Sequence, residues 1–183
     1  SSGGNLWVAS GFPQHPGNWN NSFAFDGFYG YIDGVWENYF PSQMPIFEQE
    51  GLRDIAVAYP DPNDPSKVYA GSWRGGVAVV EEGSIIEVYD DTNSSLQERE
   101  EFPQSDQASV YVSDIAEDNE GNLWMTNGYA DAPLVVLRED GSWDSFLEGA
   151  GFESLDVLIQ LLVSQDGNIW MLHNRNGVIV YNP

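Results

Sequence analysis

Four short aromatic strands, each leaving a tight polar turn, constrain this chain more than any other feature. They are Gly4-Asn5-Leu6-Trp7, Ser66-Lys67-Val68-Tyr69, Gly121-Asn122-Leu123-Trp124 and Gly167-Asn168-Ile169-Trp170. The aromatics stand 62, 55 and 46 residues apart, and each opens the same order of strand, loop, Gly and apolar strand. A recurrence of about 40–60 residues built from short strands is the mark of propeller blades.

The third repeat shows the unit most fully. Val110–Ala116 reads as a β-rich first strand, and Asp118-Asn119-Glu120-Gly121-Asn122 is turn chemistry, with Gly free to take positive φ and Asp and Asn bonding their own backbone. Leu123–Thr126, Leu134–Leu137 and Trp143–Phe146 are the second, third and fourth strands, the last two joined by a hairpin carrying Asp140-Gly141. Alternation puts Trp143 and Asp144 on opposite faces. The second repeat follows with Ile55–Ala58, Val68–Gly71, Val77–Val80 and Ile85–Tyr89, and the fourth with Leu158–Val163, Ile169–Leu172 and Val178–Tyr181. The first begins at its second strand, Leu6–Ala9, and ends with Val35–Tyr39.

The expected fold is therefore all-β, a β-propeller segment of about three and a half four-stranded antiparallel blades. Blade one covers 1–48 and lacks its first strand; blade two covers 49–103; blade three covers 104–150; blade four covers 151–183 and lacks its fourth strand. This reads as part of a larger ring. The alternative is a four-bladed domain with an offset start and two unrecognised strands.

Charge narrows the partners. There are 29 acidic residues against six basic ones, a net charge of −23, which repels nucleic acid and disfavours an anionic membrane surface. No apolar window is long enough for a membrane-spanning helix. The absence of Cys removes disulfides and thiolate metal sites.

Catalytic signals are weak. The two histidines, His15 and His173, lie in no Gly-x-Ser-x-Gly context and beside no recognisable nucleophile, and carboxylate pairs are too common to mark a site. We expect no enzyme and no cofactor. Structural calcium at Asp61-Pro62-Asn63-Asp64 or Asp118-Asn119-Glu120 competes with the use of the same side chains in the turns.

Binding candidates come from what departs from the repeat. Arg74 stands three residues before Val77 and Arg175 three before Val178, so both sit in second-to-third strand loops, and equivalent loops of a propeller share one face. Two arginines there could hold an anion bidentately, against the alternative of ordinary surface ion pairs. Trp73 and Trp19 lie in connections, outside the repeating aromatic slot, where an exposed Trp serves sugar stacking or protein contact, against the alternative, which we favour, of packing within the loops. Asn127 and His173 complete the set of candidate ligand-binding residues. The longest insertion, Phe12–Asn21, and the acidic segment Asp90–Asp106 are the loops most suited to binding. The recurring Trp7, Tyr69, Trp124 and Trp170 are expected to pack between blades.

The runs Asp118-Asn119-Glu120-Gly121-Asn122-Leu123-Trp124 and Asp166-Gly167-Asn168-Ile169-Trp170 resemble the two-component-regulator propeller repeat of large bacterial surface and periplasmic proteins, notably of Bacteroidetes. Tyr69–Val77, followed by Tyr89 and Asn93-Ser94-Ser95-Leu96, is similar to the propellers of the PorZ-like family of the type IX (Por) secretion system, as is Pro133–Leu137 leading to Gly141-Ser142-Trp143. The resemblance implies a non-enzymatic cell-surface, outer-membrane-associated propeller, a scaffold or binding module with protein partners and an anionic glycan or lipopolysaccharide as ligand. It brings no catalytic residues. The alternatives are the periplasmic sensor propeller of a hybrid histidine kinase that binds an oligosaccharide, and a propeller lyase or glycosidase.

Overall fold

The computed structural model describes residues 5–11, 22, 24–99, 109–147 and 156–183. These residues form fourteen β-strands and one short helix. Strands β1 (Leu6–Ala9), β2 (Phe28–Ile32) and β3 (Val35–Tyr39) form one antiparallel sheet. Strands β4 (Ile55–Pro60), β5 (Lys67–Ser72), β6 (Gly76–Glu81) and β7 (Ser84–Tyr89) form the second, and β8 (Ile115–Glu117), β9 (Leu123–Thr126), β10 (Leu134–Leu137) and β11 (Trp143–Phe146) the third. Strands β12 (Leu158–Val163), β13 (Ile169–His173) and β14 (Gly177–Tyr181) make the fourth. Strand order within every sheet follows chain order, so each is a simple meander. The fold is the expected all-β propeller, with α1 (Ile46–Gln49) bridging the first and second sheets. Strands β4, β8 and β12 touch in series, which brings the leading strands of these sheets together.

Two expectations about strands change. Strand β2 fills the third position of the first sheet, where an aromatic, Gly-interrupted stretch carries little strand signal. The run 110–116 is not one strand. Val110 N–H donates to Arg74 O at 2.8 Å and Val112 N–H to Ser72 O at 2.8 Å, so this segment crosses the end of blade two. Tyr111 also bridges Gly128 of its own blade, and the regular strand begins at Ile115, opposite Met125.

Apolar alternation produces the core. Tyr69, Val77 and Val79 of the second sheet pack on Ile115, Leu123, Met125 and Val135 of the third. The other face of the third sheet, with Trp124, Leu134 and Val136, packs on Leu158, Leu161, Ile169 and Met171. Trp7 joins Phe28, Tyr39 and Phe47 at the boundary with Val68, Ala70 and Val80. Three of the four recurring aromatics thus pack between sheets. Trp170 departs from that expectation and remains 43% exposed.

The repeated turn has a physical core of its own. Asp118 accepts from the backbone N–H of Glu120 and Asn122, from Asn122 Nδ2, and from the indole N–H of Trp124 at 2.8 Å. One carboxylate therefore closes the turn and orients the aromatic that follows it.

Candidate functional site

Strands alternate direction, so second-to-third loops and the connections between sheets open at the same end of the blades. Arg74 lies between β5 and β6, and Arg175 between β13 and β14. Arg53 and Arg99 lie in connections leading to β4 and β8, at that same end. Lys67 opens β5 and Arg138 sits in the β10–β11 hairpin, at the opposite end. Four of the six basic side chains thus mark one end of a chain of net charge −23. Acidic residues lie at both ends: Asp61, Asp64, Asp118, Glu120, Asp140 and Asp166 in the turns of the opposite end, and Glu48, Glu50, Asp54, Asp90, Asp91, Glu98, Asp131 and Asp156 among the arginines.

The arginine-bearing end has an aromatic floor. Trp73 is fully buried, not exposed as a stacking platform would need. Its ring meets Tyr111 edge-on at 5.3 Å and Tyr129 at 5.9 Å, with Val157 in the same cluster. A Cβ on Gly128 would stand 3.0 Å from the Trp73 ring, so glycine is what lets this chain segment pass over the indole. Tyr129 carries the Arg99 guanidinium over its ring at 4.1 Å, a cation–π arrangement. Burial pushes its phenol up to about 12, against the opposing pull of Arg99 and Arg175. Tyr129 also holds φ of +61°, a left-handed conformation uncommon for a bulky residue and frequent at sites under constraint.

The polar candidates serve the loops themselves. Three residues beyond each recurring aromatic stand Ser10, Ser72, Asn127 and His173. Ser10 Oγ donates to Gly27 O. Ser72 Oγ accepts from the N–H of Arg53, Arg74 and Gly75 at 3.1, 3.2 and 3.0 Å. Asn127, fully buried, clips the backbone of Gln97 through both ends of its amide. His173, also buried, accepts at Nδ1 from Arg175 N–H and Asn176 N–H, both at 3.0 Å. With Nδ1 an acceptor, the ring proton belongs on Nε2, which faces Asp156 Oδ2 at 3.5 Å. Asn127 and His173 therefore lie beneath the surface, with side chains engaged in holding loop backbone. The whole Phe12–Asn21 insertion, with Trp19 and His15, falls outside the described residues, as does 100–106 of the acidic segment.

The two arginines differ. Arg175 reaches Asp156 Oδ1 at 3.7 Å, a long and half-exposed ion pair. Arg74 has its Nε–H buried with no hydrogen-bond acceptor. A whole sheet, β8–β11, lies between their two sheets, and the residue interposed at this end is Tyr129. Tyr129, Arg99 and Asp156 are the members of this end that sequence reasoning missed. The signal for Tyr129 was positional, because it occupies the second-to-third loop of blade three as the arginines do in blades two and four.

The turns considered for calcium use their oxygens locally. Asp61 Oδ1 accepts from Asn63 N–H and Asp64 N–H at 2.8 and 3.1 Å, and Asp64 accepts from Ser66 N–H and Oγ–H. Among the described residues, no group of three or more His, Asp or Glu is placed to hold a metal ion. No helix among them is long and apolar enough to cross a membrane.

Known proteins match this architecture. Residues 106–129 match the family model of the two component regulator propeller. The structure is similar to PorZ, described as an essential bacterial surface component of the type-IX secretion system of Porphyromonas gingivalis, with a TM-score of 0.77 and 24% identity over 98% of this chain. It is also similar to the extracellular domain assigned to a hybrid two component system of B. thetaiotaomicron, with a TM-score of 0.62 and 23% identity over 100% of this chain. The chain spans 24% and 20% of the length of those two structures. No curated protein matches the sequence. The chain is thus a β-propeller whose residues 106–129 match the two component regulator propeller, with a fold like that of a surface component of a bacterial secretion system and of an extracellular domain assigned to a hybrid two component system.

Proposed function

We propose that this chain is a non-enzymatic binding module at a bacterial cell surface, part of a secretion or attachment complex, whose arginine-bearing end meets anionic groups of a glycan or lipopolysaccharide. The observation that carries this is the segregation of Arg53, Arg74, Arg99 and Arg175 to one end, with the Arg74 Nε–H buried and lacking an acceptor. A buried donor left unmade costs free energy that an anionic ligand recovers. Arginine also suits carboxylate and phosphate because its donors form a planar fork. The non-enzymatic reading is supported by His173, both of whose ring nitrogens face partners within the fold and neither of which is presented as a base. The likeness to a surface component of a secretion system supports the location and the kind of assembly.

The test is binding of anionic lipopolysaccharide and of a neutral oligosaccharide to the purified chain and to Arg74→Ala, Arg175→Ala and the double variant. Each charge-assisted pair is worth about 1.5–3 kcal/mol, so each substitution should weaken anionic binding by roughly tenfold or more. Unchanged affinity in the double variant overturns the anionic site. A second reading, the sensor propeller of a hybrid two-component kinase, is favoured by the match over 106–129 and by the sensor ectodomain's fold. It expects the neutral oligosaccharide to bind and the arginine variants to be silent.

A further inference from the structure

We propose that the cavity between the first two blades docks a protein partner through one basic side chain, its apolar stem along Met44, Ile46 and Ile85 and its cationic head on the Glu37 carboxylate. The site is built from other residues than the arginine-bearing end and takes the opposite charge.

The cavity holds about 570 Å³ and is lined by β3, the start of β7 and the connection that carries α1. Ligand sites run to roughly 300–1,000 Å³. Its wall is fixed, because Phe47 of α1 is buried in the core between the two blades. The space exists through one exchange between equivalent blades. The hairpins Glu82-Gly83-Ser84-Ile85 and Asp140-Gly141-Ser142-Trp143 make the same turn, with Gly83 and Gly141 at φ of +77° and +83°. Trp143 reaches back to the preceding blade and meets Tyr89 edge-on at 5.0 Å. Tyr39 ends the fourth strand of the first blade as Tyr89 ends that of the second. Opposite Tyr39 stands Ile85 in place of a tryptophan, and the smaller side chain leaves the gap open.

The acceptor is oriented before any partner arrives. The Tyr39 hydroxyl donates to Glu37 Oε2 at 2.8 Å, and the Tyr39 ring is buried and stacked on Phe28 at 4.6 Å. Burial first, then this hydrogen bond and the carboxylate's charge, push the Tyr39 phenol far above its ordinary value, so it stays a donor. Glu87 and Tyr89 form the same pair in the second blade, so what sets Glu37 apart is the cavity beside it. Charge points to a cation. The lining comes from two stretches, 1–52 and 75–98, which hold five and six acidic residues and no Lys or Arg. An anion would be repelled there, and a wholly apolar side chain would desolvate the carboxylate without pairing it. Arginine and lysine suit both walls, since their stems lie on apolar surface while the head reaches the charge.

The experiment titrates the full, isotope-labelled chain with three blocked tripeptides, which place arginine, glutamine or glutamate between two leucines, and follows the backbone amide signals. The amides of 37–46 and 83–85 should shift with the arginine peptide, less with the glutamine peptide and not with the glutamate peptide. Glu37→Gln should weaken the arginine peptide by about fivefold, the scale of one exposed ion pair, and raised salt should weaken it in the wild type. Ile85→Trp copies the plug that the next blade already carries and should remove the shifts, with circular dichroism reporting whether the variant folds. Glu37 is exposed on its strand, so Glu37→Gln tests the site even where the tryptophan is not accommodated. Equal shifts with the arginine and glutamine peptides, or an unchanged affinity in Glu37→Gln, overturn the cationic reading. No shift around the cavity with any peptide, or shifts that persist in a folded Ile85→Trp, overturn the docking site itself.

Discussion

Ser72 and His173 do the same work with unlike chemistry: each closes a second-to-third loop by accepting the backbone N–H groups two and three residues ahead. A hydroxyl oxygen and an imidazole nitrogen are interchangeable there because only an acceptor at the end of the strand is required. The two arginine loops are rigid for this reason. His173→Ala should leave two N–H groups without an acceptor and cost about 1–3 kcal/mol, read as a lower urea midpoint with unchanged slope. His173→Asn, which keeps an acceptor, should recover part of the loss.

Arg74 is expected to oppose stability while serving recognition. Replacing it with Met keeps the apolar stem and removes the buried, unmet Nε–H. Arg74→Met should raise stability by about 1 kcal/mol in the absence of ligand and abolish its share of anion binding. Thermal unfolding with and without lipopolysaccharide checks both halves. A drop in stability without ligand would show that the guanidinium has structural value after all.

The passage of Gly128 over Trp73 is tight. Gly128→Ala should force the indole or the loop to move and cost about 1–3 kcal/mol, the usual range for overpacking. Near-ultraviolet circular dichroism should report the disturbed Trp73–Tyr111–Tyr129 cluster, and differential scanning calorimetry the loss.

Two neighbouring carboxylates should affect stability in opposite directions at neutral pH, and both effects should fade in acid. Burial pushes Asp118 up, but the hydrogen bonds from Asn122, Trp124 and Glu120 outweigh it and hold the carboxyl below its ordinary value. Its contribution is therefore present above the ordinary carboxylate range and fades as pH falls through the lowered folded value. Glu117 is raised, by burial first and then by Asp61 and Asp118, so its charge opposes folding and the penalty disappears on acidification. Asp118→Asn should lower the melting temperature at neutral pH, and Glu117→Gln should raise it. Both differences should shrink well below pH 4, where the wild-type carboxyls take up protons.

Much of this was legible in the sequence. The spacing of Trp7, Tyr69, Trp124 and Trp170 and the tight polar turns before them name the fold, because the turn chemistry and the strand it launches are local. The equivalence of the Arg74 and Arg175 loops was legible for the same reason. For Trp73 the sequence left ligand stacking and loop packing side by side, and the structure gives packing, through Tyr111 and Val157, which are remote in sequence and arrive only when the next blades pack. Asn127 and His173 look like ligands to a reader of residue types, since the backbone N–H groups they satisfy leave no trace in composition. Tyr129 was passed over because only its position, the loop that carries an arginine in the neighbouring blades, marks it, and its residue type does not.

The six cations are sorted by end, but the net charge is not: the loops that carry Arg53, Arg74, Arg99 and Arg175 also carry Glu48, Glu50, Asp54, Asp90, Asp91, Glu98, Asp131 and Asp156. Both ends therefore repel an anionic surface from afar, and a guanidinium acts on an anion only within the screening length, at contact. Raising the salt should then speed the encounter with an anionic surface while weakening the contact that follows.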